Sequence, residues 1–192
     1  VIGSAGSLPA LDGDPLCKLL RHAQAAGTQT VLDTAGLTDS YEREKIKSLF
    51  KYTDIFIPNI QEACILSGLG KPERAITAEQ LKTIAHCFIE LGVKQVIIKL
   101  GANGSFYQSE TESFLCDSFK TDVKDTTGAG DAFVAGYITG LLRGLPPKKC
   151  CETANACGSL CISQTGTTGG IASFDQVQNY ISAQQNRRTI CQ

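Results

Sequence analysis

Asp125-Thr126-Thr127-Gly128-Ala129-Gly130-Asp131-Ala132-Phe133 sets three small residues beside a carboxylate where a loop turns into a helix. Beyond it, Phe133, Tyr137, Leu141 and Leu142 recur at helical spacing as far as Arg143, and Gly144 is a suitable stop. A helix that begins near Gly130 aims the backbone N–H groups of residues 128–131 at whatever lies in front of it. Those donors, with the positive end of the helix dipole, favour an anion such as a phosphate. Asp131 stands beside them in the first turn. An anion cradle with an acid next to it suits transfer of a phosphoryl group to a hydroxyl, Asp131 accepting the hydroxyl proton. The plainer explanation is that an Asp in a first turn complements the dipole, and that glycines before a helix are ordinary loop chemistry. Two other nucleotide motifs fit poorly. Gly128 and Gly130 match the first two glycines of GxGxxG, but Phe133 holds the third position and no strand of clear β character directly precedes the run. No glycine-lysine-threonine or glycine-lysine-serine follows, so a Walker A loop is absent.

Working outward, strands and helices alternate through the first half. Asp14-Pro15 opens a helix with Leu16, Leu19, Leu20 and Ala23 as its apolar stripe, ended by Gly27. Val1 to Ser4 reads as the end of a buried strand, Thr30 to Asp33 as a short strand, and Tyr41 to Phe50 as an amphipathic helix. Asp54 to Ile57 is an apolar strand, and Ile60 to Ser67 a helix closed by Gly68. Thr77 with Gln80 makes a capping box for a helix stopped at Gly92, and Gln95 to Leu100 is a strand of the kind buried on both faces. Shorter segments from Gly101 to Asp122 suggest antiparallel hairpins. The last third is helical: Asp131 to Arg143, Lys148 to Ser163, and a final helix capped by Ser173 with Gln176. The rhythm predicts a single α/β domain over residues 1–192, three layers deep, with a mostly parallel sheet between helices. Ligands sit at the carboxyl ends of such strands, which selects Asn59, Gly101 and the 125–131 loop as one rim.

The 192 residues are 42% hydrophobic with net charge −1 and a pI near 6.2, enough for one core and without a basic nucleic-acid footprint. No apolar run approaches a membrane span. The nine cysteines are odd in number and scattered, so reduced thiols in a cytoplasmic protein are expected. Cys157 and Cys161 lie at i, i+4 with Cys150 and Cys151 nearby, but the spacing fits no usual zinc pattern and His22 and His86 are far off in sequence. Buried small side chains explain them better.

Four segments in order carry a resemblance. The 125–133 run resembles the C-terminal signature of the ribokinase-like (PfkB) carbohydrate kinases. Pro58-Asn59-Ile60-Gln61-Glu62-Ala63 resembles the family's Asn-x-x-Glu motif, and Lys99-Leu100-Gly101-Ala102-Asn103-Gly104 its nucleotide-contacting strand end and turn. Ala154-Asn155-Ala156-Cys157-Gly158, followed by Gln164-Thr165-Gly166, resembles the helix and loop on the adenine side. The resemblance implies a ribokinase-like fold and ATP-dependent phosphorylation of a hydroxyl on a sugar or sugar phosphate. Asp131 is then the general base, and Gly128, Ala129 and Gly130 are the N–H donors that stabilise the transferring phosphoryl oxygens. Nucleoside and vitamin kinases of the same family, and a catalytically silent nucleotide-binding fragment, are the alternatives.

Further roles follow from the same resemblance. Asn59 and Glu62 would hold Mg²⁺, although local chemistry alone favours a helix cap and a dipole partner. Lys99 would reach a nucleotide phosphate, or else snorkel into solvent. Gly101, Asn103 and Gly104 would pass over the nucleotide. Asn155 would touch the adenine side, its alternative being a solvated helix residue. Asp125, Thr127, Cys161, Gln164 and Gly166 match positions that hold a monovalent cation in many relatives, with K⁺ as the candidate ion. The partner is a small sugar-type substrate, with neither nucleic acid nor membrane, and a homodimer is one expectation for the full-length protein. The resemblance also places the acceptor-binding part and lid upstream of Val1, and with no methionine at position 1 the expectation is a domain truncated at its N-terminus. Residues 1–192 alone are then expected to bind ATP·Mg²⁺ weakly, to aggregate, and to lack sugar kinase activity.

Overall fold

Apolar strands separated by capped amphipathic helices dictate the first half of the structure, a computed structural model that describes residues 1–36, 40–70 and 76–190. β1 (Ile2–Ala5), α1 (Asp14–Ala25), β2 (Val31–Thr34), α2 (Ser40–Lys47), β3 (Ile55–Phe56), α3 (Ile60–Ser67), α4 (Ala78–Glu90) and β4 (Gln95–Lys99) follow in turn. Then come β5 (Ser105–Ser109), β6 (Ser113–Cys116), α5 (Ala129–Leu142), α6 (Pro147–Ile162) and α7 (Phe174–Ile190). The fold is α/β, with a six-stranded sheet in the order β1-β2-β3-β4-β5-β6. The β1–β2, β2–β3 and β3–β4 pairs are parallel. β4, β5 and β6 are joined by short turns, and Ser109 N–H donates to the Glu112 carbonyl at 2.9 Å. Parallel neighbours need a long crossover, so these short links make the last strands antiparallel and the sheet mixed.

The chain forms two compact units, Val1–Lys99 with Phe106–Phe114 and Leu100–Ser105 with Leu115–Gln192. In the first, every residue of β2 and β3 is buried, as expected of strands covered on both faces. Phe50, Phe56 and Phe88 meet pairwise with centroids 4.9 to 5.1 Å apart and none is exposed. Each such ring contributes about 1.5–3 kcal/mol by its burial. One expectation needs correction. Leu19, placed in the apolar stripe of α1, is 48% exposed, because Leu16 and Leu20 alone face inward. In β1, Ala5 is buried while Gly3 and Ser4 are exposed.

The second unit is built on α5 against α6. Gly136 and Gly140 let the helices close: a Cβ at Gly136 would meet Cys157 Sγ at 2.8 Å and Ala154 Cα at 2.9 Å. At Gly140 it would meet Cys150 Cα at 3.1 Å. Cys150 and Cys157 of α6 are small side chains at this close helix contact, and all eight described cysteines are free thiols. Among the described residues no group of three or more His, Cys, Asp or Glu is placed to hold a metal. α7 packs Val177 and Ile181 on Phe119 and Ala156. No described helix is long and apolar enough to cross a membrane.

Candidate active site

In the first unit the carboxyl ends of β2, β3 and β4 gather a polar cluster. Asn59 caps α3: its Oδ1 accepts from Glu62 N at 2.9 Å while Glu62 Oε2 accepts from Asn59 N at 3.0 Å. The capping arrangement that local chemistry favours is therefore present. It does not exhaust Glu62, which is 6% exposed and also accepts from the Thr34 hydroxyl at 3.0 Å. Both of these bonds fall on the same oxygen, Oε2. Burial pushes the Glu62 carboxyl above its ordinary value, against the lowering effect of Asn59, Thr34 and the nearby Lys99. Asn59 is bridged to Lys99 across the sheet, and Lys99 N–H donates to the Pro58 carbonyl at 2.9 Å.

Lys99 does not snorkel into solvent. Its ammonium group meets Asp33 Oδ1 at 2.7 Å, with side-chain exposures of 14% and 7%. Asp33 and Thr34 belong to the same rim, although no sequence motif marks them. The signal was available: they end β2, and the rule that selects strand ends in a parallel sheet applies to them as it does to Asn59.

In the second unit Gly128 takes the left-handed conformation, φ 80°, as the cap residue of α5. A Cβ there would lie 3.0 Å from the Thr167 carbonyl oxygen and 3.1 Å from Thr167 Cα, so the 164–170 loop closes over this position. Only glycine meets both conditions without strain. Asp131 lies in the first turn of α5 and is exposed. Ala129 N–H makes a long bond of 3.3 Å to the Thr126 carbonyl. Gly130 follows in the first turn, as the sequence run requires.

Asp125 ties the loop together. Its Oδ1 accepts from Thr127 N at 2.9 Å and its Oδ2 from Gly166 N at 3.0 Å. The Thr127 amide and hydroxyl, then the Gly166 amide, hold this carboxyl below its ordinary value. The Cys161 thiol lies 3.6 Å from the Thr127 carbonyl oxygen and 3.7 Å from that of Thr167, and Gln164 N–H donates to the Cys161 carbonyl at 3.2 Å. Asp125, Thr127, Cys161, Gln164 and Gly166 are thus brought together, with Thr167 added. Two carbonyl oxygens converging beside a carboxylate are the hard donor set a monovalent cation takes, and here they converge on a thiol.

Asn155 is not a solvated helix residue. It is 5% exposed, and its Nδ2 donates to Ser105 Oγ and to the Cys116 carbonyl, each at 3.1 Å. The middle of α6 is thereby fixed to Ser105, the residue that follows the turn containing Gly101, Asn103 and Gly104. That turn is one 3-10 turn, Gly101–Asn103, closed by Gly104 with φ 83°.

A helix start capped by a left-handed glycine, with an exposed carboxylate in its first turn and carried on an α/β fold, is the arrangement of the ribokinase-like proteins. The pfkB family carbohydrate kinase description matches residues 1–173, and the chain belongs to that family. The 2-dehydro-3-deoxygluconokinase of Bacillus subtilis is 31% identical over 163 residues, 84% of this chain and 43% of that protein. Among solved structures, Arabidopsis thaliana ribokinase complexed with ribose and ATP superposes with a TM-score of 0.76 at 28% identity, over 86% of this chain and 51% of that one. Aminoimidazole riboside kinase from Salmonella enterica, complexed with aminoimidazole riboside and an ATP analogue, gives 0.75 at 26% identity, over 94% and 61%. The chain spans about half the length, or less, of the curated relatives it matches.

Proposed function

We propose that this protein transfers the terminal phosphoryl group of ATP to a hydroxyl of a sugar or sugar phosphate. The observation that carries the reading is the start of α5: a left-handed Gly128 at the cap, small residues after it, and an exposed Asp131 in the first turn. When bound, ATP·Mg²⁺ supplies the phosphoryl group. The N–H groups of Gly128, Ala129 and Gly130 hold negative charge on the oxygens in transfer, as preorganised donors that need no rearrangement. Asp131 holds the acceptor hydroxyl and takes its proton. Asn59 and Glu62 have the oxygen donors Mg²⁺ prefers, and a carboxylate bonded through one oxygen has the other to offer a metal-bound water. Lys99 acts on this cluster through Asp33, with which it is paired. K⁺ would take the Thr127 and Thr167 carbonyl oxygens that now face Cys161, steadying the loop behind the anion hole.

A riboside acceptor is the second reading, favoured by the likeness to the aminoimidazole riboside kinase. The two readings share every residue named above and differ only in the acceptor. Replacing Asp131 by Asn in the full-length protein tests both. ATP affinity is expected to hold while kcat falls by about two to four orders of magnitude. Wild-type turnover in that variant, on its best acceptor among hexoses, pentoses, sugar phosphates and nucleosides, would remove the mechanism.

A further inference from the structure

The turn at residues 101–104 is held by more than its own backbone. Within it, Gly104 N–H donates to the Gly101 carbonyl at 3.0 Å, and Leu100 N–H to the Gly104 carbonyl at 2.8 Å. Against it lie the end of β6 and the residues after it with no space between: a Cβ at Gly104 would stand 2.0 Å from the Cys116 carbonyl oxygen and 2.7 Å from Asp117 C and Ser118 N. The Ser118 hydroxyl bonds the Ala102 carbonyl. From α6, Ser159 donates to the Phe119 carbonyl at 3.2 Å. Asn155 completes the set, because its two donor hydrogens go to Ser105, the residue next to Gly104, and to Cys116, the residue on which Gly104 packs.

A carboxamide nitrogen carries two hydrogens, and both are used. A contact from that nitrogen to a base would cost one of these buried bonds, and an unsatisfied buried polar group is expensive. We propose that Asn155 is a positioning residue: it fixes the 101–104 turn through Ser105 and Cys116, and so acts on nucleotide affinity without presenting its amide nitrogen to the base. The proposal rests on the reading above that this turn passes over the nucleotide. It predicts that Asn155 matters equally for any nucleoside triphosphate, and that it matters through Ser105.

The test is a titration of the protein with N-methylanthraniloyl-ATP and N-methylanthraniloyl-GTP, in wild type, Asn155→Ala, Ser105→Ala and the double variant. Hydrogen exchange at the Leu100 and Gly104 amides is followed in the free proteins. Asn155→Ala is expected to weaken both nucleotides by the same factor, about tenfold, and Ser105→Ala by about threefold. The double variant should lie within about twofold of Asn155→Ala, because the two residues share one bond. Exchange at Leu100 and Gly104 should quicken. Ser118→Ala loosens the same turn from its other side and leaves α6 intact; it should weaken both nucleotides by about threefold with Tm unchanged, which guards against a folding defect in the Asn155 variant. A change in the ATP-to-GTP ratio in Asn155→Ala would overturn the proposal in favour of direct base contact. So would unchanged affinity despite faster exchange. Wild type that binds neither nucleotide would overturn the proposed function itself, whereas wild-type binding with Asn155→Ala unaffected would overturn this inference alone.

Discussion

Lys99 Nζ lies 2.7 Å from Asp33 Oδ1, joining the carboxyl ends of β4 and β2 across the two-residue strand β3 that separates them in the sheet. Both side chains are largely removed from water, so the pair is of the buried kind, in which loss of one partner costs more than the pair itself is worth. Lys99→Ala is expected to lower the unfolding free energy by about 3 kcal/mol, and Lys99→Met combined with Asp33→Asn to recover most of it. Urea denaturation of the three variants measures this. A loss below about 0.5 kcal/mol for Lys99→Ala would class the pair with surface salt bridges.

Three glycines of positive φ should rank by what a Cβ would strike. Gly101, φ 60°, has nothing within 4 Å, so Gly101→Ala should cost only about 1–2 kcal/mol of conformational strain. Gly128→Ala adds contacts of 3.0 to 3.2 Å with Thr167 and should cost more, while moving the 164–170 loop off the start of α5. Gly104→Ala drives a Cβ to 2.0 Å from a backbone oxygen and should cost the most. Thermal unfolding of the three proteins gives the order. On the proposed function, Gly128→Ala in the full-length protein should also lose phosphoryl transfer out of proportion to its stability, because the N–H groups proposed as an anion hole are displaced.

These glycines mark what the sequence made legible. The caps Asn59 with Glu62, Thr77 with Gln80, and Ser173 with Gln176 are readable because each is a local pattern four residues long. The same holds for Gly68 after α3 and for the small residues before α5. The pairings of Lys99 and Asn155 were not readable. Lys99 and Asp33 are 66 positions apart, and Asn155 is 50 from Ser105 and 39 from Cys116. Periodicity says that a side chain faces inward but not which partner it meets there. For that reason the sequence leaves Lys99 and Asn155 each between a ligand contact and a solvated side chain, and the structure gives each a buried protein partner.

Asp54 should shape the acid limb of stability. Burial alone would raise its carboxyl, but the Lys94 ammonium and the Thr30 amide and hydroxyl outweigh this and hold it below its ordinary value. A carboxyl lowered in the folded state stabilises above its unfolded pKa, near 3.9, and that contribution is lost as pH falls through the lower folded value. Asp54→Asn should therefore flatten the decline of Tm on acidification in this region while lowering Tm at pH 7. Parallel acid limbs in the two proteins would show that Asp54 is not a group that drives acid unfolding.

Glu62 separates capping from metal binding, because the two roles need different atoms. The cap requires an acceptor for Asn59 N–H, and the Thr34 hydroxyl needs one too. A glutamine keeps its carbonyl oxygen for both. Organising Mg²⁺ needs the negative charge, which glutamine lacks. Glu62→Gln should therefore keep a Tm close to that of the wild type, yet raise the Mg²⁺ needed for half-maximal rate by about tenfold, as expected from the loss of a charge-assisted interaction. Glu62→Ala removes the acceptor as well and should lose about 1–3 kcal/mol of stability, with Asn59 N–H and Thr34 left unsatisfied. A Glu62→Gln protein with an unchanged Mg²⁺ titration would return Asn59 and Glu62 to the capping role alone.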